Sequence, residues 1–300
     1  MDKVKCEALI AAAEGGSLSY AAELLGYTQP GITRMIDSLE DELGFPLLLR
    51  SKKGVTLTPN GERMMPYFRE VVRSQRMAEE TGASIRGILS GVLTVGCYYS
   101  VSSMLLPEVL RQFMADFPGV QIVLKEGTNA ELSLMLRDHS VDLCFAAKPS
   151  EQTVCEWIPV LEDELTVWLP EEHPMAGNTR FPVRKLADYP FIMIEPGNDT
   201  DLDRVFSRAR VHPDIHFETK DAFSAYRMVE AGLGISLNQR LISRAWGGKV
   251  VTLPFDPPQY VHLGIAIRSL ADASPAAKKF VDYILRIVRQ DERNNALFGL

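Results

Sequence analysis

Residues 17–50, SLSYAAELLGYTQPGITRMIDSLEDELGFPLLLR, constrain the fold of this chain more than any other stretch. They predict two short helices separated by a turn at Gly26. Ser19 is expected to cap the first helix, and Thr28 to cap the second with Pro30 in its first turn, where a missing N–H costs nothing. The first helix is expected to bury Ala21, Leu24 and Leu25. Two helices joined in this way form a helix-turn-helix, whose second helix is suited to the DNA major groove.

The second helix has one apolar face and one polar face, as expected for a helix at a protein surface. The apolar residues at helical spacing are Ile32, Ile36, Leu39 and Leu43. The polar face is interpreted as a DNA-reading surface, and a merely solvated helix face is the alternative. With the hairpin that follows, the candidate DNA-binding residues are Thr28, Gln29, Pro30, Thr33, Arg34, Arg50, Lys52 and Lys53.

Residues 47–58 predict a hairpin of two short strands around Ser51-Lys52-Lys53-Gly54. Gly54 is expected at a turn position that needs a positive φ. The basic tip suits a contact with the DNA backbone or minor groove. A solvated lysine pair is the alternative interpretation.

Several short motifs between Leu9 and Met65 resemble, in the same order, the N-terminal signature of LysR-type transcriptional regulators. They are AEGGS at 13–17, AAELLG at 21–26, TQPGIT at 28–33, LEDELG at 39–44 and LTPNG at 57–61. Leu49 departs from the family pattern, which usually has Phe there, and the exchange is expected at a core position. The resemblance implies a sequence-specific DNA-binding transcriptional regulator with a winged helix-turn-helix, a linker helix through which it dimerises, and an effector-binding domain.

The charge of the chain does not by itself indicate a DNA-binding protein. The net charge is −7, and residues 1–60 carry six Lys/Arg against eight Asp/Glu. Phosphate contacts dominate DNA affinity, so a domain without net positive charge predicts that dimerisation supplies part of that affinity. The sequence shows neither a bilayer-spanning apolar run nor a signal peptide, and a cytoplasmic protein without a membrane partner is therefore expected.

Thr58 and Pro59 are expected to open a long helix that reaches about Ala83. An apolar stripe at roughly heptad spacing is interpreted as a dimer contact, and packing within the same chain is the alternative. The stripe consists of Met64, Phe68, Val71 and Ala78. The expected division is a DNA-binding domain at 1–58, a linker and dimerisation helix with a hinge at 59–90, and an effector-binding domain at 91–300.

From Gly91 onward, strand and helix patterns alternate, which predicts an α/β domain with a parallel sheet covered on both faces. The resemblance implies two lobes of the periplasmic-binding-protein-like kind. The first is expected to span about 91–162 and 265–300, and the second about 163–264. The chain is expected to act as a homodimer or homotetramer on double-stranded promoter DNA, with RNA polymerase as a further partner.

Ligands of open α/β sheets bind beyond the carboxyl ends of the strands, at helix N-termini. The candidate effector-binding residues there are Tyr98, Ser100, Val101, Ser102, Thr128, Lys148, Asn198, Thr200 and Phe223. Simple helix capping is the alternative role of the hydroxyl residues. Helix N-termini favour a small anion, whereas Glu195, Asp199 and Asp201 would favour an amine, and the sequence leaves both open.

Two other classes of protein fit the sequence less well than a regulator does. A transport-type solute-binding protein would not need the first 60 residues, and an enzyme is disfavoured because the chain lacks the G-x-S-x-G, H-E-x-x-H and P-loop motifs. No cofactor or metal is expected. The cysteines are expected to be buried and reduced, with a redox switch between Cys144 and Cys155 as the alternative.

Overall fold

The computed structural model of the chain describes residues 2–149, 154–194, 201–243 and 246–294. Its N-terminal part contains four helices and one hairpin. They are α1 (Lys3–Gly15), α2 (Leu18–Leu25), α3 (Gln29–Leu43), β1 (Leu48–Ser51), β2 (Gly54–Leu57) and α4 (Pro59–Ile85). Helices α1 to α3 share one core that the antiparallel hairpin adjoins, and this confirms the predicted winged helix-turn-helix.

The helix caps of this unit agree only partly with the sequence prediction. Thr28 caps α3, since its Oγ1 accepts a hydrogen bond of 3.2 Å from the backbone N–H of Gly31. The cap of α2 is Ser17 and not Ser19, so that prediction was wrong. Ser17 is followed by a helical Leu18, and its hydroxyl accepts from the backbone N–H groups of Ser19 and Tyr20.

Two apolar side chains predicted to be buried lie at the surface. Leu24 is 60% exposed, because α2 turns Ala21 and Ala22 toward the core instead. Leu49 is also exposed, since neighbouring residues of β1 point to opposite faces and Leu48 takes the buried side. The expectation of a core position at Leu49 was therefore wrong.

The apolar stripe predicted for the long helix divides between two environments. Phe68 is fully buried in the N-terminal core, where Met65, Met64 and Val71 accompany it. Ala78, in contrast, is exposed. Assigning Phe68 to an intermolecular contact was wrong, because α1 packs against α4 and covers this side of the helix within the same chain.

The C-terminal part alternates strands and helices. Its first elements are β3 (Gly91–Cys97), α5 (Tyr99–Met104), α6 (Leu106–Asp116), β4 (Val120–Glu126), α7 (Asn129–Arg137) and β5 (Leu143–Ala147). Then follow β6 (Glu156–Pro170), β7 (Phe181–Pro182), a 3-10 helix (Val183–Asp188), β8 (Pro190–Ile194), α8 (Asp201–Ala209), β9 (Asp214–Thr219), α9 (Ala222–Glu230), β10 (Ser236–Gln239) and α10 (Arg240–Ser243). The last described elements are β11 (Val250–Asp256), β12 (Tyr260–Ile267) and α11 (Pro275–Asn294).

The main sheet has the order β4-β3-β5-β12-β6-β11-β7, with β10 also paired to β6. Strands β3, β4 and β5 are parallel, as predicted, but β12 is antiparallel to both β5 and β6. The expectation of a wholly parallel sheet was therefore wrong. Strand β6 pairs with β12 along Glu156–Glu164 and with β11 and β10 beyond it, so that one strand continues through both lobes.

Helix α5 follows β3 directly and ends at Met104, and α6 starts two residues later with a proline at its N-terminus. Val101 is fully buried in the main core of the C-terminal part. None of the described helices has the length and apolarity that a bilayer crossing requires.

Candidate DNA interface and effector cleft

The N-terminal end of α3 presents a polar surface. Gln29 and Arg34 are exposed and Thr33 is half-buried. The Gln29 side-chain amide donates to the Thr33 hydroxyl at 3.0 Å, and that hydroxyl donates to the Gln29 carbonyl at 3.0 Å. Pro30, in the first turn, leaves no N–H to be satisfied. These contacts hold the two side chains on the outer face of the helix.

The hairpin places three basic side chains beside α3: Lys52 and Lys53 at its tip, and Arg50, which is ion-paired. Lys52 and Lys53 are exposed at the tip, where Gly54 has the expected positive φ of +124°. A Cβ at Gly54 would lie 2.3 Å from the Gly16 carbonyl oxygen, so only glycine fits there. Arg50 already contacts Asp37 at 2.5 Å and Glu40 at 3.6 Å. Arg50 therefore positions the hairpin against α3 before it meets any phosphate.

The candidate effector residues of the first lobe come together at one edge of the sheet. Cys97 pairs with Glu126, and β5 runs parallel to β3 on the other side, so the three strands end side by side. Helix α5, Thr128 and Lys148 follow these three strand ends. The sequence prediction thus selected segments that the fold gathers at one place.

The side chains of α5 differ in how accessible they are at this edge. Ser100 is buried, and Ser102 is half-buried and donates to Glu126. Val101 lies in the core, which leaves it no role on the cleft surface. Tyr98 is half-buried and contacts the main core. Ser100, Tyr98 and Ser102 are therefore the members of this segment that remain near the strand ends.

Thr128 performs the capping role that the sequence offered as an alternative. It forms a capping box with Glu131: its Oγ1 accepts from the Glu131 backbone N–H at 3.3 Å, and Glu131 Oε2 accepts from the Thr128 N–H at 2.8 Å. Thr128 itself is half-buried. Capping orients the hydroxyl at the sheet edge, and it does not prevent a ligand from using it.

Two residues that the sequence did not single out join the lobes at this edge. Arg204 of α8 donates to the Lys148 carbonyl at 3.4 Å, and it also donates to the Asn129 side-chain oxygen at 3.1 Å when the Asn129 amide is turned so that this oxygen faces Arg204. Asn129 is buried and donates to the Ala147 carbonyl at 3.2 Å in the same orientation. The signal available in the sequence was the position of Asn129 directly after Thr128; Arg204 has no motif.

The second lobe contributes less that can be described. Asn198 and Thr200 lie outside the described residues. Strands β8 and β9 are parallel neighbours, so their carboxyl ends share one edge. Phe223, which follows β9, is exposed and lies in edge contact with Trp246, with ring centroids 5.3 Å apart.

The four cysteines do not have the environment of reactive thiols. Burial raises the pKa of Cys6 to about 11 and of Cys97 to about 12, and it raises the pKa of Cys144 and Cys155 as well. A thiolate is the reactive form, and these pKa values leave little of it near neutral pH. The structure thus gives the alternative of a redox switch at Cys144 and Cys155 no support.

A winged helix-turn-helix joined by a long helix to a two-lobed α/β unit defines a DNA-binding protein with a ligand-binding domain. The family comparison agrees over most of the chain. Residues 5–62 match the profile described as "Bacterial regulatory helix-turn-helix protein, lysR family", and residues 86–289 match "LysR substrate binding domain". The chain belongs to the LysR family of DNA-binding transcriptional regulators, which carry an effector-binding domain.

Relatives and solved structures extend over nearly the whole chain. The HTH-type transcriptional regulator YvbU of Bacillus subtilis is 28% identical over 275 residues, covering 90% of this chain and 93% of its own. Full-length OxyR C199D of Pseudomonas aeruginosa has a TM-score of 0.76 and 24% identity, with coverage of 96% and 95%. CbnR in complex with its target DNA has a TM-score of 0.67 and 22% identity, with coverage of 95% and 99%. At these identities the solved structures establish the fold.

Proposed function

We propose that residues 1–58 bind double-stranded promoter DNA, that residues 59–90 link and dimerise the chains, and that residues 91–300 bind a small-molecule effector. The lobes of the last domain would span about 91–162 with 265–300, and about 163–264. The solved complex of CbnR with its target DNA supports the DNA partner. The proposal includes assembly as a homodimer or homotetramer. A role at promoters further implies contact with RNA polymerase and a cytoplasmic location.

The observation that carries the DNA-binding proposal is the exposed polar N-terminus of α3 beside the basic hairpin tip. Gln29 would read a base edge, since its amide can bond adenine bidentately, which discriminates by about 1–3 kcal/mol. Thr33 and Arg34 would hold the phosphate backbone, as would Lys52 and Lys53. Thr28 and Pro30 would set the start of the helix, and Arg50 would fix the hairpin against it.

Gel shifts with the DNA upstream of the gene for this chain test these roles. Gln29→Ala should reduce the preference for that DNA over unrelated duplex, because a base contact is lost. Arg34→Ala should weaken all duplexes alike and lower the salt slope by about one, because a phosphate contact is lost. Arg111→Ala, an exposed arginine of α6, is the matched control. Unchanged binding by both α3 variants would remove this helix from the interface.

For the effector, we propose a small polar metabolite with an anionic group, bound between the lobes at the edge formed by Ser100, Thr128 and Lys148. Arg204 supports an anion, because it brings a guanidinium from the second lobe to this edge. Asn129 would orient Arg204, and Tyr98 and Ser102 would flank the ligand. Phe223 would cover it from the second lobe, together with Asn198 and Thr200.

A thermal-shift screen of small carboxylates and phosphates on the full chain tests the effector site, since a ligand of the folded state raises Tm. Thr128→Val should reduce the shift caused by a hit, because one hydrogen bond of about 1 kcal/mol is lost. It also removes a helix cap, so Thr128→Ser, which keeps the hydroxyl, is the matched control. A hit whose shift is the same in Thr128→Val, Ser100→Ala and the parent binds elsewhere.

A further inference from the structure

Helix α7 connects the candidate effector edge to the linker helix. Its N-cap is Thr128, and directly after its last residue, Arg137, come Asp138 and His139, which contact α4. Nine helical residues span about 13 Å. A single short helix therefore bridges the distance between the two sites.

The packing of α7 separates it from the main core of the domain. Its buried residues Leu132 and Leu136 belong to a small cluster with Val141 and Cys144, distinct from the large cluster that contains Phe113 and Phe280. The helix packs closely on strands β3 and β5, and close-packed elements transmit strain, so a change at Thr128 can be carried to the other end of α7.

At the C-terminal end of α7, one arginine joins three parts of the molecule. Arg69 of α4 contacts Asp138 Oδ2 through Nη1 at 2.5 Å and Glu14 Oε1 of α1 through Nη2 at 2.9 Å. Glu14 lies near the C-terminal end of α1, the helix that packs against α3. Near the other end of α1, Lys5 donates to Ser38 of α3 at 3.0 Å. A displacement of Asp138 therefore reaches the DNA-binding unit through one side chain.

A second contact lies beside the first. His139 Nδ1 is 2.6 Å from Glu70 Oε2 of α4, and Arg268 approaches His139 Nε2 at 2.5 Å. An arginine only donates, so Nε2 must accept and the neutral ring carries its proton on Nδ1, which lies beside Glu70 without forming a hydrogen bond to it. The Arg268 side chain also reaches Glu70 at 3.3 Å. His139 follows the end of α7 in the left-handed region, with a φ of +63°.

Further along α4 the contact with the first lobe is more deeply buried. Arg76 is 2.5 Å from Asp142 Oδ1, and Asp142 Oδ2 accepts from the Thr94 N–H at 2.8 Å. A cavity of about 220 Å³ adjoins these pairs, with Arg73, Asp142 and Arg268 in its wall. Charged side chains beside an open pocket therefore make up this part of the contact between α4 and the first lobe.

We propose that α7 acts as a connecting rod: a ligand that binds beside Thr128 displaces Asp138 and His139, and this changes how Arg69 and Glu70 hold the DNA-binding unit. The inference rests on the proposed function, because it takes the effector edge as the site of binding. It adds the route by which the effector edge is coupled to the DNA-binding unit. A ligand shifts such an equilibrium only through its different affinities for the two arrangements.

Hydrogen exchange of the full chain tests the rod without a known effector. Thr128→Val perturbs the cleft end of α7, and exchange is followed in peptides of α4 around residues 66–76. We expect exchange there to rise by about two- to fivefold, the range that corresponds to loss of an exposed ion pair. In an Arg69→Gln/His139→Asn background, exchange in α4 should already be raised, and Thr128→Val should add nothing.

Two matched controls separate coupling from general destabilisation. Asp221→Ala removes the cap of α9, which has nine residues like α7 but lies in the second lobe, and should leave α4 unchanged. Thr128→Ser retains the cap and should behave like the parent. The rod is refuted if Thr128→Val leaves α4 unchanged in the parent, or raises its exchange equally in both backgrounds.

Gel shifts on the same preparations distinguish this failure from failure of the proposed function. If the parent binds the upstream duplex and α4 does not respond to Thr128→Val, only the rod is wrong. If α4 responds but the parent does not prefer that duplex to unrelated DNA, the coupling is supported and the proposed function is wrong.

Discussion

His139 is the residue whose protonation state the surrounding structure defines most clearly. Burial lowers its pKa below the ordinary 6.5, and the neighbouring Arg268 guanidinium lowers it further. Glu70 and Asp138 oppose this effect, whereas Arg73 adds to it. The neutral ring fits its partners, since its Nε2 must accept from Arg268. A proton on that nitrogen would turn an acceptor into a donor that faces a cation.

We therefore expect acid to weaken the contact between α4 and the first lobe. The unfolded chain takes up a proton near pH 6.5, while folded His139 resists it until a lower pH, so stability falls as pH drops below about 6.5. Calorimetry from pH 7.5 to 5.5 should show a larger loss of Tm in the parent than in His139→Asn, a residue that also tolerates positive φ. A loss of 1 kcal/mol corresponds to about 2–4 °C.

The exposed His262 provides the control for this measurement. His262 on β12 pairs with Glu162 on β6, and it takes no part in the contact with α4. His262→Asn should keep the pH dependence of the parent. If His139→Asn and the parent lost the same Tm, another group would be responsible, and half-buried His173, whose pKa is also lowered by desolvation, would be the next to replace.

At the scale of the element, capping and turn residues predicted where helices begin, but they did not predict which element packs against each helix. Three local features are present in the structure as predicted, and each depends on residues within three positions of one another. They are the Thr28 cap with Pro30, the Thr58 cap with Pro59 and the turn at Gly54. The cap at Ser19 failed because Ser17 offers the same chemistry two residues earlier. Spacing alone does not decide between two serines.

Helix α4 shows what a sequence pattern leaves undecided. Phe68 and Ala78 both fit an apolar stripe, but only the tertiary fold reveals that α1 covers Phe68 and leaves Ala78 exposed. The same limit applies at the effector edge. Thr128 and Ser100 could be found because they follow strands, whereas Arg204 reaches the edge from another lobe and from a helix without any motif.

At the scale of the whole molecule, the exposed side of α4 indicates how two chains would meet. One line of residues with alternating spacings of four and three runs along this side, where Val71 also packs against the N-terminal core, and this is the heptad pattern of a helix pair. Its members are Tyr67, Val71, Ser74, Ala78, Thr81 and Ile85. Tyr67 is 64% and Ile85 83% exposed, so both ends of the line offer a large apolar side chain to a partner helix. The dimer contact proposed for the linker helix therefore belongs to this line.

Ala78 is the residue of this line at which the dimer contact can be tested without disturbing the core. Ala78→Glu keeps helix propensity but would bury an unpaired charge between two chains, which is costly. Sedimentation velocity should show smaller assemblies. DNA affinity should fall by tenfold or more, since the DNA-binding unit of one chain then binds DNA without that of its partner. Gln75→Glu adds the same charge beside the line and should change both measurements less. If Ala78→Glu kept the mass and the affinity of the parent, the chains would have to associate through another surface, and the exposed line on α4 would remain unexplained.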